Sequence, residues 1–177
     1  MIRAAARGIG LLLAALWLGA LPLQAAAVPG EPQLLENSAY GSALINQIHH
    51  AKRRIICAFY LFKITDSPKS LPRAVAGELI AAQRRGVEVT VILEAGRPIE
   101  KENRTATRLL AQGGVRVIFA PAGVTTHAKA ISIDDRYVLI GSHNLTQSAL
   151  SRNNELSLLV DSPPLAAQVR RYLERLR

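Results

Sequence analysis

Apolar and polar positions along the chain fall into blocks whose spacing predicts alternating helices and strands. Residues 42–54 carry apolar side chains at helical spacing, whereas 55–62 form an unbroken apolar run, typical of a strand covered on both faces. The same criteria predict helices at 74–85 and 104–112, and strands at 87–93 and 115–119. This alternation predicts an α/β domain.

The last third of the chain consists of shorter predicted elements. Two strands at 128–133 and 137–140 are separated by Asp134, Asp135 and Arg136, which predicts a tight hairpin. A short helix at 144–150, a strand at 155–160 and a helix at 164–177 are predicted to follow. No internal repeat interrupts this order, and the length of the chain suits a single domain.

Residues 1–27 predict an export signal. Arg3 and Arg7 precede an apolar run at 9–23, and the alanines at 25–27 suit a signal peptidase. The run has about 15 residues, whereas a membrane-spanning helix needs about 20. We expect cleavage after Ala27, one domain at 28–177, and a periplasmic or secreted location. An uncleaved membrane anchor is the alternative.

The net charge narrows the choice of binding partners. Without Arg3 and Arg7 the formal net charge falls from +9 to +7, because no acidic residue precedes Glu31. Such a charge favours polyanions, either nucleic acid or anionic lipid head groups, although a merely solubilising charge is the alternative. Cys57 is the only cysteine, so no intrachain disulfide can form, and its apolar neighbours predict a buried thiol.

Residues 126–160 carry the pattern that predicts chemistry. His127, Lys129 and Asp134 form HxKxxxxD, which is followed by GSHN at 141–144 and by Glu155. On a strand, His127 and Lys129 project from the same face about 6–7 Å apart, a spacing that suits one phosphoryl group. Lysine supplies a positive charge for a non-bridging oxygen, and an imidazole nitrogen can attack phosphorus or deliver a proton.

The other polar residues of this segment have different expected roles. Ser142 and Asn144, two residues apart at the start of a predicted helix, can donate hydrogen bonds to further phosphate oxygens. Asp134 has the opposite parity to His127 and lies about 16 Å beyond Lys129 along an extended strand. We therefore expect Asp134 to support the site through backbone N–H groups or a nearby cation, without touching the substrate.

The combined HxKxxxxD and GSHN motifs resemble the signature of the phospholipase D superfamily. The order of elements is similar to that of its compact bacterial nucleases, which carry one motif per chain. The resemblance implies a phospholipase D-like fold, with a mixed β-sheet flanked by helices on both faces. It also implies a metal-independent phosphodiesterase without a cofactor, which acts through a phosphohistidine.

The resemblance further implies how the histidine is used. His127 would be the nucleophile, and Glu155, at the start of the next strand, would orient its imidazole; a solvated Glu155 near Arg152 is the alternative. The superfamily mechanism needs two histidines, so one motif per chain implies a homodimer that shares its active site across a two-fold axis. His143 as the acid within one chain is the alternative.

Other chemistries lack their motifs. CxxC and HExxH are absent, so no metal site is predicted, and without GxSxG a serine hydrolase is unsupported. His49 and His50 lie beside basic residues on a predicted helix and are interpreted as a solvated face. The leading hypothesis is a low-specificity endonuclease that cuts DNA or RNA. The alternatives are a phospholipase D that hydrolyses phospholipid head groups, and an inactive nucleic-acid-binding module on the same fold.

Overall fold

A computed structural model describes residues 30–177, so the predicted export signal at 1–27 lies outside the described residues. The elements follow in the order β1 (Gln33–Glu36), α1 (Ala39–His50), β2 (Arg54–Phe59), α2 (Leu71–Arg84), β3 (Glu88–Leu93), α3 (Glu100–Gln112), β4 (Arg116–Phe119), β5 (Lys129–Ile133), β6 (Tyr137–Gly141), β7 (Leu156–Asp161) and α4 (Pro163–Glu174). Within residues 30–177 no helix has the length and apolar character needed to cross a membrane.

All seven strands belong to one mixed sheet, in the order β1-β7-β6-β5-β2-β3-β4. Strands β2, β3 and β4 run parallel to one another. Strand β5 pairs antiparallel with β2, and β6, β7 and β1 continue the antiparallel half. The sheet thus changes from parallel to antiparallel at β2, and the prediction of a mixed sheet in an α/β fold is confirmed.

The apolar run of β2 contributes to two cores, one on each face of the sheet. Ile55, Cys57 and Phe59 face the larger core under α1, α2 and α3. Ile56 and Ala58 face the smaller core, which α4 covers. Strand β2 lacks the usual alternation of apolar and polar residues because both of its faces are buried. The prediction of helices on both faces of the sheet is confirmed. Burial raises the pKa of the Cys57 thiol to about 12, which keeps the thiol protonated.

Within residues 30–177, no helix covers part of the α4 face of the sheet. Helix α4 packs over β2, β5 and β6. Beyond its edge, Leu34, Ile140 and Leu156 are 51%, 43% and 53% exposed. Leu158, which pairs with both Leu34 and Ile140, is half-buried on the same face. We call these four residues the open apolar row.

Two predicted elements differ from the structure. Strand β1 was not predicted, because it has four residues and only Leu35 among them is buried. The helix predicted at 144–150 is wrong, since this segment forms turns. Leu145 donates its N–H to Leu61 and accepts the N–H of Lys63, both at 2.9 Å. These bonds to the loop after β2 take up the backbone groups that a helix would use.

The predicted hairpin between β5 and β6 is confirmed, and it also fixes the start of β2. Asp134 and Asp135 both have φ of 56°, a left-handed pair that suits a tight hairpin turn. The Asp134 carboxylate accepts the backbone N–H groups of Lys52, Arg53 and Arg54 at 2.8, 2.7 and 3.1 Å. Its partners therefore lie in the α1–β2 connection, not in its own hairpin.

The Asp134→Asn variant should lower the free energy of unfolding by about 2–3 kcal/mol, because an amide group would face backbone N–H groups that now share two carboxylate oxygens. Urea denaturation followed by circular dichroism measures this change. Asp66→Asn is the control, since the Asp66 side chain is fully exposed and its ion pair with Arg73 lies on the surface. Equal stability of the two variants would contradict the bracing role of Asp134.

Candidate active site

The sequence-predicted site residues gather at one edge of the sheet because of its topology. The parallel strands β2, β3 and β4 end at this edge, β5 and β7 begin there, and β6 ends there. His127 precedes β5, Ser142 follows β6, and Glu155 precedes β7. Ligands of α/β proteins commonly bind where the carboxyl ends of parallel strands meet a change in chain direction.

His127 and Lys129 are in direct contact at this edge. The Lys129 Nζ lies 2.9 Å from His127 Nδ1 and donates to the His127 carbonyl oxygen at 2.8 Å. Nζ also lies 3.3 Å from His127 Nε2, so the ammonium is close to both ring nitrogens. The ring of Tyr60, just after β2, lies 4.5 Å from the His127 ring and 5.4 Å from Lys129 Nζ.

Lys129 is a charged group in a buried position. Its residue is 7% exposed, and burial lowers the pKa of its ammonium, whereas the negative charge of Glu155 raises it. His127 itself is exposed. The pair therefore offers an accessible imidazole beside a partly desolvated cation, an arrangement that strengthens attraction to an anion.

Ser142 and Glu155 form a second cluster next to this pair. The Ser142 hydroxyl donates a short hydrogen bond to Glu155 and accepts the Leu156 N–H at 3.1 Å. Asn153 donates to the other Glu155 carboxylate oxygen at 3.1 Å. Glu155 thus contacts Ser142, and not His127 as predicted, because His127 turns toward Lys129 in this conformation. Glu155 acts on the His127–Lys129 pair through its negative charge, which raises the pKa of Lys129 against the lowering effect of burial.

Asn144 lies beside the site, and its neighbour His143 does not. Asn144 Oδ1 accepts the Leu61 N–H at 3.3 Å. This bond holds the Asn144 side chain close to Tyr60, which directly precedes Leu61. His143 is fully buried, with Nδ1 2.7 Å from Ser157 Oγ and Nε2 2.8 Å from the Asn37 carbonyl oxygen. Burial lowers the pKa of His143, and both of its ring nitrogens are occupied by Ser157 and Asn37, so its surroundings favour a structural role over that of an acid.

Three residues near the site were missed by sequence reasoning. Tyr60 ends the apolar run of β2, Glu94 is a carboxylate directly after the apolar strand β3, and Asn103 is a polar residue on the buried face of α3. A carboxylate directly after an apolar strand was the available signal for Glu94, whereas Asn103 lies among polar residues in the first half of α3 and gave no such signal.

The remaining residues that the sequence analysis singled out lie away from this site. Asp134 is at the opposite end of β5 from Lys129, and His49 and His50 are exposed on α1. Among residues 30–177 no three His, Cys, Asp or Glu side chains are grouped so that they could hold a metal ion.

Comparison with known proteins places this arrangement in a family. The family described as "Cardiolipin synthase, PLD-like domain" matches residues 44–177. The chain belongs to the phospholipase D superfamily. This confirms the resemblance seen in HxKxxxxD and GSHN, and it places the chain among the phosphodiesterase-type proteins of that superfamily.

Individual relatives share part of their length with this chain. It is 30% identical over 134 residues to cardiolipin synthase A of Buchnera aphidicola, covering 73% of this chain and 26% of that protein. It is 31% identical over 123 residues to phospholipase D of Rickettsia prowazekii, covering 70% and 55%. The chain therefore spans about a quarter and about half of these relatives.

A solved structure shares the fold over nearly its whole length. The crystal structure of Nuc, a phospholipase D family member from Salmonella typhimurium, superposes with a TM-score of 0.69 and 24% identity. The match covers 82% of this chain and 94% of that chain. At this identity the likeness establishes the phospholipase D-like fold alone.

Glu155→Gln should lower the pKa of Lys129 further, because the variant removes the negative charge that opposes the effect of burial. The protonated form of Lys129 would then be lost at a lower pH as the pH rises. NMR titration of the lysine side chains measures this directly. The control is Glu36→Gln, because Glu36 and Glu155 line one surface recess together with Ser142, and this variant removes the other negative charge there. An unchanged or raised Lys129 pKa in Glu155→Gln would contradict the proposed coupling.

Proposed function

We propose that this protein is an exported, metal-independent endonuclease with little sequence preference, which cuts DNA or RNA at a site shared by two copies of the chain. The observation that carries the proposal is the contact between the exposed His127 imidazole and the Lys129 ammonium. A phosphodiester fits this pair because one of its non-bridging oxygens can replace the imidazole as the partner of Lys129. The Asn144 Nδ2 group can donate to a further oxygen, and the Ser142 hydroxyl can do so when it turns from Glu155 to the substrate.

The proposed reaction has two displacements at phosphorus. In the first, a neutral nitrogen of His127 attacks, a P–N bond forms, and the P–O bond to the leaving group breaks while the partner's His127 protonates the leaving oxygen. In the second, water attacks the phosphohistidine, the P–N bond breaks, and the partner's His127 accepts the proton from water. Lys129 compensates the charge that develops on the phosphoryl oxygens in both steps.

Basic side chains support a long polyanionic substrate. Arg97, Lys101, Arg104 and Arg108 are all exposed, and Arg104 forms an ion pair with Glu100 at 2.8 Å. Lys101, Arg104 and Arg108 lie on the outward face of α3, which begins at the same sheet edge as the site. A nucleic-acid strand that leaves the site toward α3 would meet these charges in succession, which a single lipid head group would not.

A second candidate substrate is phospholipid, and the relatives provide the observation that favours it. Two of them are named cardiolipin synthase A and phospholipase D. The proposed chemistry at phosphorus is the same for a lipid head group as for a nucleic acid. A phospholipase D activity therefore remains the alternative, to be separated from a nuclease by substrate competition.

The open apolar row supports the proposal of a homodimer. Exposed apolar residues that adjoin one another commonly mark a protein interface. Leu156 of the row directly follows Glu155, and its N–H donates to Ser142. A second copy docked on the row would therefore lie beside the active-site edge, where the partner's His127 is needed.

Purified protein should cut both plasmid DNA and single-stranded nucleic acid in the presence of a chelator. His127→Asn should lower the rate by more than about 1,000-fold, because the proposed nucleophile is removed. His50→Asn is the control and should retain full activity, since His50 is exposed on α1, outside the site. Failure to cut in chelator would overturn the nuclease proposal. Head-group release from phosphatidylglycerol vesicles that exceeds nuclease activity would favour the phospholipase.

Leu156→Lys should convert a dimer into a monomer and abolish nuclease activity, because the variant places a charge in the open apolar row. Sedimentation velocity measures the first effect. Tyr172→Lys is a matched control, since Tyr172 is 47% exposed, compared with 53% for Leu156, and lies on α4. A fully active monomeric wild-type protein would refute the shared site. A dimeric and active Leu156→Lys protein would refute this interface.

A further inference from the structure

The loop that carries His127 has few attachments to the rest of the protein. It connects β4 to β5, and Val124 at its tip is 80% exposed. Across residues 121–127, no backbone–backbone hydrogen bond joins the loop to another part of the described chain. Its polar attachments are the contacts of Lys129 Nζ with the His127 ring and carbonyl oxygen, and a bond from the Thr126 N–H.

The Thr126 N–H donates to Glu94, a carboxylate 32 residues earlier. The distance from Thr126 N to Glu94 Oε2 is 2.5 Å, and Glu94 Oε1 accepts the Gly96 N–H at 2.7 Å. Glu94 is 8% exposed and takes part in no ion pair with any residue in 30–177. A buried carboxylate without a cation is costly unless backbone donors satisfy it, and here one of those donors adjoins His127.

Asn103 holds Glu94 in this position. It is fully buried, and its Nδ2 donates to the carbonyl oxygens of Tyr60 at 2.8 Å and Glu94 at 2.9 Å. Its Oδ1 accepts the Phe62 N–H at 2.8 Å. One amide thus joins the end of β2, which carries the Tyr60 ring beside His127, to the end of β3, which carries Glu94.

Gly96 provides the space that the carboxylate occupies. A Cβ atom added at this position would lie 2.8 Å from Glu94 Oε1, too close for a normal contact. The absence of a side chain at Gly96 therefore permits the carboxylate to sit between its own loop and the His127 loop.

We infer that Glu94 is a positioning residue, whose carboxylate holds the His127 loop through Thr126 while Asn103 fixes Glu94 relative to Tyr60. This inference rests on the proposed function of His127 as the reacting group. Loss of the bond to Thr126 would let the imidazole move relative to Lys129, and a displacement of about 1 Å can cost about 100-fold in rate.

The test compares two independent perturbations with a structural control. Glu94→Gln replaces one acceptor oxygen with an amide that faces a backbone N–H, and Gly96→Ala displaces the carboxylate without removing its charge. Asp161→Asn is the control: Asp161 is 5% exposed, bonds Arg136 at 2.8 Å, and lies at the opposite end of β7 from Glu155. Each variant is assayed on bis(4-nitrophenyl) phosphate for kcat and KM, and amide hydrogen exchange is measured at Thr126 and His127.

Both Glu94→Gln and Gly96→Ala should lower kcat by about 10- to 100-fold with little change in KM, and should accelerate exchange at Thr126. Asp161→Asn should lower Tm and leave kcat unchanged. The inference is wrong if Glu94→Gln lowers Tm while kcat and Thr126 exchange stay at wild-type values, or if Asp161→Asn loses kcat equally. If wild type lacks phosphodiesterase activity altogether, the proposed function fails, whereas the exchange measurement still tests the bond from Thr126 to Glu94.

Discussion

The antiparallel pairing of β5 with β2 is the interaction on which the rest of the site depends. It sets Lys129 opposite Phe59 in the centre of the sheet. Because β2 is also parallel to β3, this register brings the start of β5 to the edge where the parallel strands end. A slip of one residue would turn Lys129 to the α4 face of the sheet and away from Tyr60, since neighbouring side chains on a strand point to opposite faces.

The same edge collects polar groups that are buried against an apolar sheet. Lys129, Glu94, Asn103 and His143 are each less than a tenth exposed, and each has hydrogen-bonding partners. Such groups add little net stability, because the free-energy cost of removing them from water is about as large as the free energy that their hydrogen bonds contribute. Their effect is on geometry: a satisfied buried network permits few alternative arrangements of the loops that carry the reactive groups.

A single chain has a candidate active-site edge that offers one motif histidine and, beside it, a sheet surface that no helix of residues 30–177 covers. Exposed Ile140 directly precedes the GSHN segment, and exposed Leu156 directly follows Glu155. The polar cluster and the open apolar row are thus contiguous along the chain. Because they are contiguous, a change in the open apolar row would also be expected to affect the polar cluster.

The sequence by itself determined the α/β alternation, the hairpin at Asp134 and the family, because these follow from local periodicity, turn chemistry and a spaced motif. It misplaced the helix at 144–150, because the backbone bonds between Leu145 and the loop after β2 join residues more than eighty positions apart. Only the tertiary structure decided that Glu155 contacts Ser142, that His143 is buried, and that Glu94 accepts the Thr126 N–H. Periodicity reports which face a side chain takes, whereas its partner on that face depends on how distant strands are paired.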